Sequence, residues 1–395
     1  MPKKRRWHPS QETDELVFAV CDRFLAQLDQ QYNPQSLNAD GGRKGAAAAI
    51  ADWLRDRWGR DDLTREKIYP LFWEAARRRF LFLQPPRELH LAQRIADTYH
   101  VGRELGDQRE VQVVNVRRPE AIRHVTSAGA ELVLSLVEKI GRRKRPVHIG
   151  LGAGYSAMMV ARHLADRIRS DPDCPGLVLH ALSAGGFQVD KPQRSPITYF
   201  NYFDGALTKV DFVALFSHTI VPNDDYERIR KSPGVQKAFE RADEIDIVVT
   251  SFAWAHDEHG MLRQFLKHLV DAGELESDTI RRMLDAGWTG DVQFRPYSAT
   301  GPILEECPVR AVTLFELSDL ARIAHTEGKH VVLLARPCGE CGTLKTEALR
   351  PLLTEPSLRL WTHLVVDVDT AGALLKSPNA ADLPVAAPEP TGAPG

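Results

Sequence analysis

No stretch of this sequence approaches the roughly 20 consecutive apolar residues that cross a bilayer as a helix, which excludes a helical membrane protein. Cysteine is scarce. The five present, Cys21, Cys174, Cys307, Cys338 and Cys341, are too few and too scattered for a disulfide framework, in keeping with a reducing compartment. Net charge is only −2, so the chain as a whole is no polycation. No Gly-Lys-Ser/Thr follows a glycine-rich turn, which excludes a Walker-type phosphate loop. Met1-Pro2-Lys3-Lys4-Arg5-Arg6 is basic, but Trp7-His8-Pro9 stands where a signal peptide would place its apolar stretch. The expectation is a cytoplasmic protein.

What is present is the composition of a globular protein, 43% hydrophobic and 26% charged. A length of 395 residues suits two or three domains. Basic residues cluster at Lys3 to Arg6, at Arg77-Arg78-Arg79 and at Arg142 to Arg145. Duplex DNA attracts such clusters through counterion release, although any one of them alone reads first as solvated surface charge.

Residues 12–30 carry apolar positions at helical spacing. Asn33 to Gly45 reads as a loop, and Ala46 to Trp58 as a strong helix former that Gly59 breaks. Thr64 offers a side-chain cap for a second helix from Arg65 to Phe80, and Phe80-Leu81-Phe82-Leu83 suits a short wing strand before Pro85-Pro86. Helix, turn, helix and small strand is the order of a winged helix-turn-helix. On that reading the second helix enters the major groove and presents Thr64, Arg65, Lys67 and Tyr69, while Arg77, Arg78 and Arg79 meet the backbone. A small helical dimerisation module would have the same core.

Beyond two amphipathic helices at 89–101 and 120–140, strands and helices alternate, which predicts a mostly parallel, doubly wound α/β sheet. Strands are expected at Val147–Leu151, Leu177–Leu182, Phe212–Phe216, Ile245–Ser251, Val309–Leu314, Val331–Leu334 and Leu364–Val368. The predicted domains are an extension with one helix (1–45), the winged helix-turn-helix (46–88), the α/β domain (89–376) and a Pro/Ala-rich disordered tail (377–395).

Ligands of such sheets collect at the carboxyl ends of the strands, where helix N-termini also point. Gly152-Ala153-Gly154-Tyr155-Ser156 occupies such a place. Exposed amides of Gly152 and Gly154 can cradle an anion, joined by Tyr155 and the Ser156 hydroxyl. Ser183, Gly185 and Gly186 end the next strand, and Thr250-Ser251 ends a later one. Lys345 opens a helix, where a cation opposes the dipole unless an anion is near, so it is a candidate phosphate contact. Replacing Lys345 with Ala should then weaken ligand binding and leave the fold intact. Cys338-Gly339-Glu340-Cys341 has metal-ligand spacing, but a structural zinc needs four ligands and the remaining cysteines are isolated in sequence. His256-Asp257-Glu258-His259 reads as a solvated or ligand-gating loop. No metal or cofactor is expected.

The order of these features over residues 46–376 resembles the SorC/DeoR-type sugar-binding transcription regulators, especially the SorC-like branch. The residues that carry the likeness are Ile50 to Leu54, Leu63 to Ile68 and Glu74 to Arg78; Val147 to Ser156; Leu182 to Gly186; and Ala238 to Val249. Further along come Gly290-Asp291-Val292 with Gly301-Pro302-Ile303, Gly342 to Leu349, and Leu364 to Leu375. The resemblance implies a sugar-phosphate isomerase-like sensor domain, a sugar or sugar-phosphate effector, homo-oligomers and effector-controlled operator DNA binding. It adds Asp367 and Thr370 to the ligand-binding set and implies a regulator rather than an enzyme. Two departures stand out: Phe252-Ala253-Trp254 replaces the family's glycine-rich third loop, and Tyr155-Ser156 its threonine-rich phosphate loop. The rival readings are a sugar-phosphate isomerase- or deaminase-like enzyme using His256 to His259 as acid–base groups, and a sensory module without DNA binding.

Overall fold

The computed structural model describes residues 7–32, 45–78, 80, 81, 85–103, 107–118, 120–144, 146–169, 171–185, 191–303 and 306–376, the side chains of 27–32 aside. The expected loop at 33–44, Phe82, Leu83, Arg79, Gly186 and the tail at 377–395 lie outside them. The chain divides into two compact units, residues 1–83 and 84–395. The first helix packs within the helical unit.

In the first unit, α1 (Asp14–Tyr32), α2 (Ala46–Trp58) and α3 (Arg65–Arg77) share one core. Each helix supplies an apolar stripe: Leu16, Val17, Val20 and Phe24 from α1, Ile50 and Leu54 from α2, Ile68, Leu71 and Ala75 from α3, all buried. This is the i, i+3, i+4 pattern of helices packed on one side. Gly59 ends α2 in the left-handed region at φ 61°, its N–H closing on the carbonyls of the last turn. Thr64 does stand at the N-cap of α3 in extended conformation, but its side chain makes no capping bond. No strand occurs among the described residues of this unit. The predicted wing fails at Phe80 and Leu81, which pack half-buried on the helical core, Phe80 edge-on to Phe18 at 5.8 Å.

The second unit is built on a sheet whose central seven strands are all parallel. They run in the order β1 (Glu110–Val114), β12 (His363–Asp367), β11 (His330–Ala335), β6 (Ile247–Trp254), β2 (Val147–Leu151), β3 (Leu177–Ala181) and β4 (Val210–Val213). Strands β2, β3, β11 and β12 are buried along their whole length, as expected where helices cover both faces. The carboxyl end of β6 continues into an antiparallel extension of β7 (Gly290–Val292), β8 (Arg295–Ser298) and β9 (Gly301–Pro302). The expected strand at Val309–Leu314 is shorter. It forms β10 (Val309–Ala311), which pairs antiparallel with β5 (Ile220–Pro222) apart from the main sheet. Among the described residues, no helix is long and apolar enough to cross a membrane.

The direction of winding fixes where a crevice opens. From β2 the chain steps outward through β3 to β4. It then returns to β6, next to β2, and steps the other way through β11 to β12. The β2–β6 junction is the reversal point, and the loops leaving the two strands diverge there.

Candidate functional site

At the carboxyl ends of β2, β6 and β11 lies a cavity of about 320 Å³, within the range of small-molecule sites. Gly152 lets β2 and β6 approach: a Cβ there would sit 3.2 Å from the Val249 carbonyl and 3.3 Å from the Thr250 hydroxyl. Beyond it, Gly154 at φ 106° turns the chain into the helix Tyr155–Ile168. The amides expected to cradle an anion are already used. Gly152 donates to the Val249 carbonyl at 2.9 Å and Gly154 to the Arg194 carbonyl at 3.0 Å. Glycine here serves close packing and the turn.

Arg336, which follows β11, is one of three cations lining the cavity among the described residues, with Arg194 and Lys345. Its Nε donates to the Ser156 hydroxyl at 2.9 Å, its Nη1 to the Pro337 carbonyl at 2.8 Å, and its guanidinium lies 5.5 Å from the Tyr155 ring centroid. Burial lowers its pKa from the usual arginine value. No carboxylate lies within ion-pair distance of it among the described residues. Arg194 lies 5.8 Å from the same ring centroid and pairs with Glu340 at 3.0 Å.

The polar groups opposite come from β6, from the loop after it and from the β7–β8 hairpin. Thr250 and Ser251 end the paired part of β6 and line the cavity, as do Asp257, Asp291 and Gln293. Asp291 is fully enclosed, and burial pushes its carboxyl up to about 7. Gln293 and Phe294 both take left-handed backbone, at φ 51° and 62°, as a two-residue primed turn requires. Gln293 is 8% exposed, and neither atom of its amide has a hydrogen-bond partner. A strained backbone and an unsatisfied buried amide at one residue are usual where a ligand completes the site.

Lys345 lies in the cavity wall but is already engaged, its Nζ 3.0 Å from buried Asp257. Burial alone would raise the Asp257 pKa. The charge of Lys345 and several hydrogen bonds outweigh it and hold the carboxyl low.

Of the sequence-derived ligand residues, the structure gathers Gly154, Tyr155, Ser156, Thr250, Ser251 and Lys345 around the cavity. Gly152 stands behind the wall, and Ser183 and Gly185 lie off it. Ser183 is buried in a bridge to Thr313. Asp367 and Thr370 are also elsewhere. Asp367 caps the helix Val368–Leu375, accepting from the Asp369 and Thr370 amides and the Thr370 hydroxyl, so the pair serves the fold. Sequence reasoning missed Arg336, Arg194 and Gln293 and read Asp291 only as part of the Gly290-Asp291-Val292 motif, because the segments that carry them, around Arg194, at the β7–β8 hairpin and after β11, meet only in the fold.

On the first unit, α3 presents Arg65, Tyr69 and Trp73 on one face at i, i+4 and i+8, with Trp73 69% exposed. Lys67 instead donates to the Asp62 carbonyl and lies over the Trp7 ring. Arg77 and Arg78 converge on buried Glu74 at 2.6 and 2.7 Å, and Arg78 also pairs with Asp14. Their bonds to Glu74, that of Arg77 foremost, hold its carboxyl down at about 2. Arg78 therefore braces α3 against α1, held in place by Glu74, while Arg77 pairs within α3. Glu74→Ala should lower the stability of the helical unit by about 2 kcal/mol, read from the urea midpoint; an unchanged midpoint would refute the bracing role.

No protein-family model matches the sequence, and no curated protein matches it. Solved structures do match in fold. The full-length sorbitol operon regulator SorC from Klebsiella pneumoniae superposes with a TM-score of 0.57 at 16% identity, covering 92% of this chain and 100% of its own. The probable sor operon regulator from Shigella flexneri does so at 0.54 and 15% identity, covering 73% and 99%. A DeoR family transcriptional regulator from Listeria monocytogenes gives 0.51 at 17% identity, covering 72% and 98%. This chain is therefore similar in fold to these SorC- and DeoR-type regulators, and the mostly parallel α/β fold expected from the sequence is that of its second unit.

Proposed function

We propose that this protein is a transcription regulator whose α/β unit binds a phosphorylated sugar or polyol and whose helical unit binds operator DNA. The observation that carries the ligand reading is Arg336, a buried guanidinium lining the cavity with no carboxylate within ion-pair distance of it among the described residues. An uncompensated buried charge is costly, and a phosphate matches the guanidinium fork. Opposite, Gln293 offers both a donor and an acceptor, and Asp291 sits near its titration midpoint at neutral pH. Such groups suit hydroxyls, and together with the guanidinium they select a molecule with a phosphate at one end and a polyol at the other.

The DNA reading is supported by the exposed Arg65–Tyr69–Trp73 face of α3 and by the regulator fold. A two-fold operator would need two chains, so the reading includes a homo-oligomer. The ligand would control DNA binding only by favouring one arrangement of the assembly over another.

The test is a thermal-shift panel of phosphorylated sugars and polyols beside their unphosphorylated forms. At a hundred times its dissociation constant, the right ligand adds about 2.7 kcal/mol and raises Tm by about 5 °C or more. The unphosphorylated form should do far less. A panel in which phosphate makes no difference would remove the ligand reading. The DNA reading would go if no salt-dependent gel shift occurred with the upstream region of the protein's own gene.

A further inference from the structure

We propose that Asp257, His259, Cys338 and Cys341 form a four-ligand site for a zinc-class divalent cation at the rim of the cavity. In sequence the two pairs are some eighty residues apart. In the fold they meet because β6 and β11 are neighbours, paired as far as Ser251 and Leu334. The loop after β6 carries Asp257 and His259, and the loop after β11 carries the two cysteines.

Three of the six ligand–ligand distances match the edges of a tetrahedral zinc site. Zinc bonds of about 2.3 Å to sulfur and about 2.0–2.2 Å to nitrogen and oxygen imply ligand–ligand edges of about 3.4–3.8 Å. Here Asp257 Oδ1 lies 3.3 Å from His259 Nδ1 and 3.6 Å from Cys338 Sγ, while Cys338 Sγ lies 3.7 Å from His259 Nδ1. Cys341 Sγ completes the group, all four ligand atoms falling within 4.8 Å of one another. Closing the last edges requires movement of Cys341, which is exposed and lies beside Gly342 at φ 71°.

The surroundings fit the charge. Two thiolates and one carboxylate exceed the charge of a divalent ion by one, and Lys345 sits on the other oxygen of Asp257 at 3.0 Å, a supporting cation of the kind that tunes metal ligands. The cysteine turn is already closed: the Cys338 N–H donates to the Thr343 carbonyl at 2.8 Å, and the Gly342 N–H to the Cys338 carbonyl at 2.9 Å. Thiolate and imidazole donors select zinc over magnesium or calcium. Asp257 and Cys338 are buried while His259 and Cys341 are exposed, which leaves an entry path. An ion here would pin together two loops that wall the cavity. The site requires neither the phosphate nor the DNA reading.

The test uses the full-length chain, stripped with chelator under reductant and titrated with Zn(II) against a chromophoric competitor, then with Co(II). The expected result is one ion per chain, with thiolate-to-cobalt charge-transfer absorption and the intense d–d bands of tetrahedral Co(II). Cys341→Ser changes an exposed side chain and should lose stoichiometric binding with an unchanged circular dichroism spectrum. His259→Gln should weaken binding and alter the d–d bands. Zinc should also shield two thiols per chain from alkylation. The site is overturned if a chain with all thiols shown to be reduced takes up no stoichiometric ion, if both variants bind as well as the parent, or if Cys338 and Cys341 oxidise to a disulfide at the same rate with and without zinc.

Discussion

Arg336→Ala is expected to weaken binding of the phosphorylated ligand by about a hundredfold or more and to leave the ligand-free protein as stable as before. A guanidinium can offer a phosphate two charge-assisted hydrogen bonds, each contributing about 1.5–3 kcal/mol. Losing both amounts to about 3 kcal/mol at least, or two decades in Kd. Arg336→Lys keeps the charge without the fork and should recover only part of the affinity. Stability should hold because Arg336 has no ion pair to lose, and the Ser156 hydroxyl it leaves lines the cavity. Lys345→Ala should behave in the opposite way. It strands the buried Asp257 carboxylate and should cost about 3 kcal/mol of folding free energy, which replaces the sequence-based expectation of an intact fold. Calorimetry and urea denaturation on the two variants separate the roles. If Arg336→Ala binds the phosphorylated ligand within about threefold of the parent, Arg336 is not the phosphate anchor.

The contrast between these residues shows what could be read from the sequence. Strands buried on both faces announce themselves as short apolar runs, so Val147–Leu151 was legible to the residue and β11 and β12 to within one. The edge strand Glu110–Val114 was not, because β1 is only partly buried and alternates weakly. The β7–β9 extension was also hidden, since two non-glycine residues at positive φ give no hairpin signal. Phe212–Phe216 was placed too late in the chain because Phe216 reads as apolar core yet is 72% exposed. The loops of the site were legible as loops, and their partners were not. Nothing local in Gly152 or Gly154 says that their amides are spent on Val249 and Arg194. Likewise Cys338-x-x-Cys341 lacks a second pair of ligands until strand order brings Asp257 and His259 beside it. Long-range pairing decided every residue that was missed.

Mild acid should unfold the α/β unit steeply, with stability falling by about 3 kcal/mol per pH unit below pH 6. His180, His330 and His363 are buried in the sheet, and burial above all drives their pKa down to about 3, 4 and 4. The Nδ1 atoms of His180 and His330 have no partner. The histidines lie in pairs: His148 Nδ1 is 3.0 Å from His180 Nε2, and the His330 and His363 rings are 5.3 Å apart. Each proton gained would thus repel the next, with Lys144 adding to the repulsion at His148 and Lys139 at the other pair. In the unfolded chain each ring takes up its proton near pH 6.5. Between that pH and the folded values the unfolded state binds more protons, so stability drops as pH falls, by about 1.4 kcal/mol per unit for each ring. Asp291 works against this. Folded, its carboxyl holds a proton up to about pH 7, whereas unfolded it releases it near 4, so it adds stability over the same window. Three rings less one carboxyl leave two protons, hence about 3 kcal/mol per unit. Urea unfolding at a series of pH values from 7.5 to 5 measures the slope. His330→Asn should remove about half of it, since one titrating ring is deleted from a net of two protons. A flat profile across that range would mean that the sheet accepts these protons without opening.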